Sequence, residues 1–595
     1  MLNKLMLTFK PTKDVIEEGK LLLYASVVGV ITGFGAVVFL VATHFFSVYV
    51  LHNIAGYPII EPRGEPELFE KLNKNFNPIL LVIITTVGGL ISGILVYTFA
   101  PEAEGHGTDG AIDAYHRKNG IIRPMVPIIK MIASAVTLGS GGSGGREGPI
   151  AQIGAGFGSF FASRLNLSAR QRRILLVSGM GAGVGAIFHA PMAGAIFGSE
   201  VLYKEPEMEG EVFIYTVVAS IVAYSTFSLF FGWKPLFFTP VFRFTNPLEL
   251  ISYTILALTV GFFAVFYVKV FYGVRDLFKK IKLIPHIKPA IGGLLVGVIG
   301  VFVPDAISSG YGLLQKAIDG TAPIKLLLLV AVLKVIATSL TISSGGSAGV
   351  FGPSMVIGGS LGGAIGLILH NLSPSLVSQP ASFVLVGMVG FFSAAANTPL
   401  STIVMVTEMT GSYHLIVPAI WTATIGYIVA QKWTIYEKQV KNRKNSPAHV
   451  LEYKRDLLEE VIIKDIMRKE FTSVSPFTSL QEIFRIFSTI SDDDILVLDT
   501  NDKLKGIITL RVLKSLLGQE QLPPILIADD VANTTLITTT PDENLHNLMH
   551  KIGLKDINLV PVVDKNDPTK VLGVVKRSDI IKMYNEIIQK LNKSV

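Results

Sequence analysis

The sequence predicts an all-α polytopic membrane domain made of two related halves, followed by a smaller α/β tail. Three observations carry this: long apolar runs in a chain short of charge, a glycine-rich motif that occurs twice, and a change of composition near residue 440.

Half of the 595 residues are hydrophobic and only 16% are charged, where a soluble chain carries about a quarter. Mean hydropathy is +0.52. The runs LLLYASVVGVITGFGAVVFLVATHFF, PILLVIITTVGGLISGILVYTFA, YTILALTVGFFAVFYVKVFY and PAIGGLLVGVIGVFV approach or exceed the roughly 20 residues that cross a bilayer core. More follow up to about Gln431. The polar, lysine-bearing opening, MLNKLMLTFKPTKDVIEEGK, has no small-residue cleavage site, so no signal peptide is expected. Net charge is +7, but the basic clusters Ser163–Arg173 and Lys432–Lys444 flank apolar spans, as cytoplasmic loops do. That placement argues for multi-pass membrane topology with both termini cytoplasmic, and against nucleic-acid binding. Cysteine is absent, which removes disulfides and thiolate chemistry, and no metal-ligand cluster or nucleophile–base pair stands out. The expected organisation is a membrane domain over 1–440, a linker over 441–460, and a cytosolic tail with one unit over 461–518 and a second over 526–589.

The repeat is read directly. SGGSGGREGPIAQIG (Ser140 to Gly154) lies over SGGSAGVFGPSMVIG (Ser344 to Gly358), and GMGAGVGAIFHAPMAGAIFGSE lies over GMVGFFSAAANTPLSTIVMVTE, with Pro191 meeting Pro399 and Glu200 meeting Glu408. Membrane proteins built from two halves bind substrate where broken helices of the halves meet. Pro149 and Pro353 fit the first turn of a helix, so each break reads as a helix N-terminus with unpaired N–H groups and about half a positive charge. Aimed at one spot, two such ends bind an anion. Close helix packing is the plainer reading of the glycines. It leaves Arg146 and Glu147 unexplained, because ionisable groups at membrane depth are costly and usually functional.

Taken together, GREGP (Gly145 to Pro149), GVFGP (Gly349 to Pro353), the glutamate-bearing ends of the long repeats, and Tyr436 after the last span resemble the CLC chloride channels and transporters. The resemblance implies an inverted repeat of tilted and broken helices, a homodimer in the cell membrane with a chloride pathway in each subunit, and no enzymatic activity. It implies that Glu147 is the gate, its carboxylate competing with the anion. The backbone of Gly148, Gly349, Val350 and Phe351 would line the site beside Arg146, with the Tyr436 hydroxyl donating from the cytosolic side. Without the resemblance, an interfacial anchor is the plainer reading of Tyr436.

This sequence departs from the family pattern in three places. The first anion loop usually carries a serine; here GHGTD places His106 there, between Gly105 and Gly107, and imidazole brings pH sensitivity. GHG with GREGP also argues against the fluoride-exporting branch. Second, proton-coupled members carry an inner glutamate where Val201 stands, with Glu200 one residue early. Valine holds no proton, so the expectation leans to a channel-like or weakly coupled pathway; the alternatives are a chloride/proton antiporter using another internal acid, and a nucleotide-regulated membrane sensor. Glu205, Glu207 and Glu209 could supply such an acid, although a solvated loop is their plainer reading. Third, the tail resembles a tandem pair of CBS domains. The second copy keeps Gly573 with Ser578 and Asp579, where Asp579 would hold ribose hydroxyls; the first has Val512 in the aspartate place. One adenine-nucleotide site and a purely structural pair both fit. No other cofactor is expected.

Overall fold

The computed structural model describes residues 13–449, 458–490, 492–517, 525–553 and 557–594; the start of the polar opening and residues 450–457 of the expected linker lie outside them. The chain divides into two compact units, Met1–Ala448 and His449–Val595.

The first unit is helical. Its first half contains α1 (Lys13–Phe46), α2 (Pro78–Phe99), α3 (Thr108–Arg117), α4 (Met125–Gly139), α5 (Glu147–Arg164), α6 (Ala169–Ile187), α7 (Pro191–Glu200) and α8 (Gly210–Phe231). The second contains α9 (Glu249–Lys280), α10 (Lys288–Phe302), α11 (Tyr311–Ile318), α12 (Ile324–Ser343), α13 (Phe351–Leu372), α14 (Ser382–Ala396), α15 (Pro399–Thr410) and α16 (Ile416–Ala430). Among the described residues, seven helical segments are long and apolar enough to cross a membrane. Leu23, Ile79 and Phe262 on them stay exposed, the outward apolar surface that lipid rather than water accepts.

The halves are inverted, and reciprocal bonds show it. Gly145 and Gly349, equivalent in the repeat, exchange backbone hydrogen bonds of 2.8 and 2.7 Å in an antiparallel bridge. Glu200, ending α7, accepts from the Leu400 and Ser401 N–H groups at 2.9 and 2.8 Å, at the start of α15. Near the end of α15, Glu408 accepts from Met192 and Ala193 at 3.2 and 2.8 Å, at the start of α7. Equivalent helices thus run head to tail, each acid satisfying donors that a helix start leaves orphaned. Glycine permits the packing: a Cβ on Gly154 would sit 2.1 Å from the Gly179 carbonyl oxygen, and one on Gly358 2.4 Å from that of Gly387. The small-residue reading therefore holds inside the helices, where α5 meets α6 and α13 meets α14.

The second unit holds a three-stranded sheet and a two-stranded sheet, each built on an antiparallel hairpin. In the first copy β1 (Ser473–Val474) runs parallel to β2 (Asp494–Leu498), which pairs antiparallel with β3 (Leu504–Thr509). In the second, β4 (Leu559–Val563) pairs antiparallel with β5 (Val571–Lys576). The Asp/Asn turns are explicit: Asp499 Oδ1 accepts from the Asn501 and Lys503 N–H groups, and Asp564 Oδ1 from Asn566. Amphipathic helices α17 (Leu480–Thr489) and α19 (Leu545–Ile552) bury Ile483 and Leu548 against the sheets, while α18 (Leu510–Leu517) and α20 (Arg577–Ser594) follow β3 and β5.

Candidate functional site

Three loops converge in the middle of the helical unit. Those before α5 and α13 are joined by the Gly145–Gly349 bridge; the loop before α3 pairs with the second of them, Gly105 N–H donating to the Gly346 carbonyl at 3.2 Å. Gly148 is the point of contact: a Cβ there would lie 2.1 Å from the His106 carbonyl oxygen and 3.1 Å from Gly349 Cα, and one on Gly107 would lie 2.8 Å from the Gly148 carbonyl oxygen. Any side chain would push these loops apart. Helix α5 begins at Glu147 and α13 at Phe351, so Pro149 and Pro353 stand in first turns where no N–H is needed. Phe351 packs its ring on Phe188 and Phe392, leaving its backbone to open the helix beside the buried Val350.

Glu147 occupies this junction. Its side chain is buried; Oε2 accepts from the Gly352 N–H at 3.2 Å, one of the free amides of α13, and Oε1 accepts from the Tyr311 hydroxyl. A Cβ on Gly145 would lie 1.9 Å from Oε2, so glycine there makes room for the carboxylate. An acid of one half thus caps the broken helix of the other, where the helix end favours negative charge.

Arg146 points elsewhere. It forms a bidentate buried ion pair with Glu65 of the α1–α2 loop, and His44 Nε2 lies 2.6 Å from the same carboxylate. Burial pushes the Glu65 carboxyl up, yet the Arg146 guanidinium and the His44 ring hold it well below the usual carboxylate range. Neighbouring Glu61 is raised by burial and by the Glu65 charge, although His44 and Lys71 oppose this. His44, Glu61, Glu65 and Arg146 line a cavity of about 70 Å³ with Asp305 and Ser308.

His106 and Tyr436 are brought together, ring centroids 5.3 Å apart. His106 Nε2 lies 3.2 Å from Asp109, and its buried Nδ1 has no hydrogen-bond partner among the described protein atoms. Below the loops, Lys130 of α4 donates to the Ala103 and Gly105 carbonyls, and Lys334 of α12 to those of Ile307 and Ser308. Both lysines are fully buried. They hold equivalent loops in equivalent ways.

Val201 is fully buried at the end of α7, and Glu200 beside it is engaged by α15. Glu205 and Glu207 meet Asn442 and the Arg443 backbone at 2.9 and 2.7 Å. Glu209 departs from the solvated-loop expectation: its side chain is fully buried.

In the second unit, Ser578 lines a cavity of about 300 Å³ with Arg468, Asp492, Lys576 and Arg577. Asp579 is held by Arg468, Nε donating at 2.8 Å to Oδ2, and that bond keeps its carboxyl below the ordinary range. A second cavity, of about 420 Å³, is lined by Thr509, Arg511, Lys514 and Asn533.

Sequence reading missed Tyr311, Glu65 and His44. Tyr311 was within reach, because sliding GHGTD onto SSGYG sets Tyr311 opposite Thr108. Glu65 and His44 carry no local signal, since their roles depend on a loop folding back onto α1.

An inverted repeat whose opposed helix starts enclose a buried acid defines a membrane protein of the ion-transporting class. The family model described as "Voltage gated chloride channel" matches residues 88–431, and the CBS domain model matches 463–518 and 528–586. The chain belongs to the CLC family of chloride-transport proteins and carries a C-terminal CBS pair. It is 30% identical over 428 residues to a protein of Salmonella paratyphi B named H(+)/Cl(-) exchange transporter ClcA, covering 69% of this chain and 85% of that one. Its fold is similar to that of a slow cyanobacterial Cl-/H+ antiporter (TM-score 0.62, 23% identity, 74% of this chain and 98% of that one). A eukaryotic CLC transporter aligns at TM-score 0.57 and 19% identity, covering 95% of this chain and 98% of that one.

Proposed function

We propose that this chain exchanges chloride for protons across the cell membrane, as a homodimer with one pathway per subunit, through a site gated by Glu147. The observation that carries this is the Glu147 carboxylate seated on the Gly352 N–H and the Tyr311 hydroxyl. An ion with the same charge would use the same donors. Protonation removes the competing charge, releases the side chain and lets chloride bind; deprotonation returns the carboxylate and expels the anion. Proton coupling is supported by the exchanger named among the relatives. Val201 by itself favours the second reading, a channel-like or weakly coupled pathway. A cytoplasmic C-terminal side is supported by Arg173, the end of the first basic cluster, donating at 3.3 Å to the carbonyl of Ala448, four residues past the second cluster, since basic loops face the cytoplasm. The CBS pair would take an adenine nucleotide beside Ser578, with Asp579 exchanging Arg468 for ribose hydroxyls.

Paired flux from protein in liposomes tests the reading. In a chloride gradient, exchange predicts uphill proton movement and a reversal potential that shifts when only pH is stepped. Chloride flux without either defeats coupling, and no chloride flux defeats transport.

A further inference from the structure

The loop after α7 leaves the helix end and returns to it. The Glu209 N–H donates to the Ser199 carbonyl at 3.0 Å, which sets this acid back against the last turn of α7, where Val201 stands. Glu209 is the residue before α8, yet its side chain makes no capping bond to that helix. It turns to a different set of partners. The Tyr203 hydroxyl donates to Oε2 at 2.5 Å, the Tyr115 hydroxyl bonds the same carboxylate, and Arg443 Nε lies 3.5 Å from Oε1. Glu209 is fully buried, while Arg443 is about half exposed (48%) on the face where the chain leaves the membrane unit. The His116 ring lies 5.0 Å from that of Tyr115 and 5.6 Å from that of Tyr203. Arg173 and Glu211 are the remaining charges that act on Tyr115.

A buried carboxylate is costly, and a helix cap would have been its ordinary use. Tyrosine hydroxyls both donate and accept, so they can satisfy the group as carboxylate or as carboxylic acid. An arginine at the water edge gives the ionised form its counter-charge. We infer that Glu209 is the inner proton-exchanging group of this pathway, supplying from the loop the acid that Val201 denies to the helix end. The carboxylate takes one proton from hydronium in the water at that face and becomes neutral; the proton it gives up ends on the Glu147 carboxylate, and Glu209 regains its charge opposite Arg443. This rests on the exchange reading above.

Paired chloride and proton flux from full-length protein in liposomes is the test, with wild type, Glu209→Gln, Glu200→Gln and the double variant Glu209→Gln/Val201→Glu. Glutamine keeps the size of Glu209 and one acceptor oxygen for the Tyr203 hydroxyl, but it carries no charge opposite Arg443 and binds no proton. Proton movement in Glu209→Gln should fall at least tenfold while chloride still crosses, and the double variant should regain it, because an acid is again at the end of α7. Unchanged coupling in Glu209→Gln overturns the inference and leaves exchange standing, as does loss in Glu200→Gln alone. A double variant that passes chloride without protons overturns it too. Absence of proton movement in wild type defeats exchange itself, and the inference with it.

Discussion

Glu147 is held by one amide and one hydroxyl, and each can be removed singly. Hydrogen bonds to a charged group are worth about 1.5–3 kcal/mol. Tyr311→Phe deletes a donor that favours the ionised carboxylate over the acid, so the pH of half-maximal chloride flux should rise, by up to about one to two units; a pH series of efflux rates checks this. Glu147→Gln should make flux indifferent to pH in the same assay. If the response survives, protonation is sensed elsewhere, with His106 the next residue to test. The Arg146–Glu65 pair makes a separate demand. Removing one partner of a buried ion pair costs about 3–5 kcal/mol, so Glu65→Gln should lower thermal stability markedly at pH 7. Because Glu65 is held below its ordinary range, its contribution is complete above that range and is lost as pH falls below it, down through the depressed folded-state value. The gap between wild type and variant should therefore narrow in melts run at acid pH. Glu147 was legible from its place in a glycine-rich break. Tyr311 shows only when GHGTD is laid over SSGYG, and its bond to Glu147 does not show at all, since that bond spans the two halves.

At the scale of elements, the paired caps bind the halves together. Glu200 satisfies two N–H groups and the Ser401 hydroxyl at the start of α15, and each buried donor left without a partner costs about 1–3 kcal/mol. Glu200→Ala should lower the unfolding midpoint in detergent more than Glu408→Ala, which frees two donors rather than three. Equal losses would show that side chains nearby replace the caps. The register Pro191/Pro399 and Glu200/Glu408 was readable from the repeat, and so were both broken helix starts. What the repeat alignment did not reveal was that each acid reaches across to the other half. Sequence similarity gives equivalence, while the inversion is a property of space. The same limit applies to Glu209, whose loop reads as polar until its N–H is found on the Ser199 carbonyl, in the last turn of α7.

For the whole molecule, the membrane unit places two helix starts against each other and lets one acid contest the space between them. The CBS unit offers its own test: calorimetry with ATP should show binding that Asp579→Ala weakens, whereas no heat in wild type would leave the pair a structural module. Composition and motif order made both units legible, because apolar runs and the glycine breaks are local signals. The cavities and the Arg468–Asp579 pair depend on how distant strands meet. Anomalous diffraction from bromide-soaked crystals of wild type and Glu147→Gln shows whether an anion and the Glu147 carboxylate use one place. In the variant a bromide peak should lie within hydrogen-bond reach of the Gly352 N–H and the Tyr311 hydroxyl, with the carboxylate filling that place in wild type at neutral pH. A variant whose only bromide peaks lie away from the starts of α5 and α13 would contradict it.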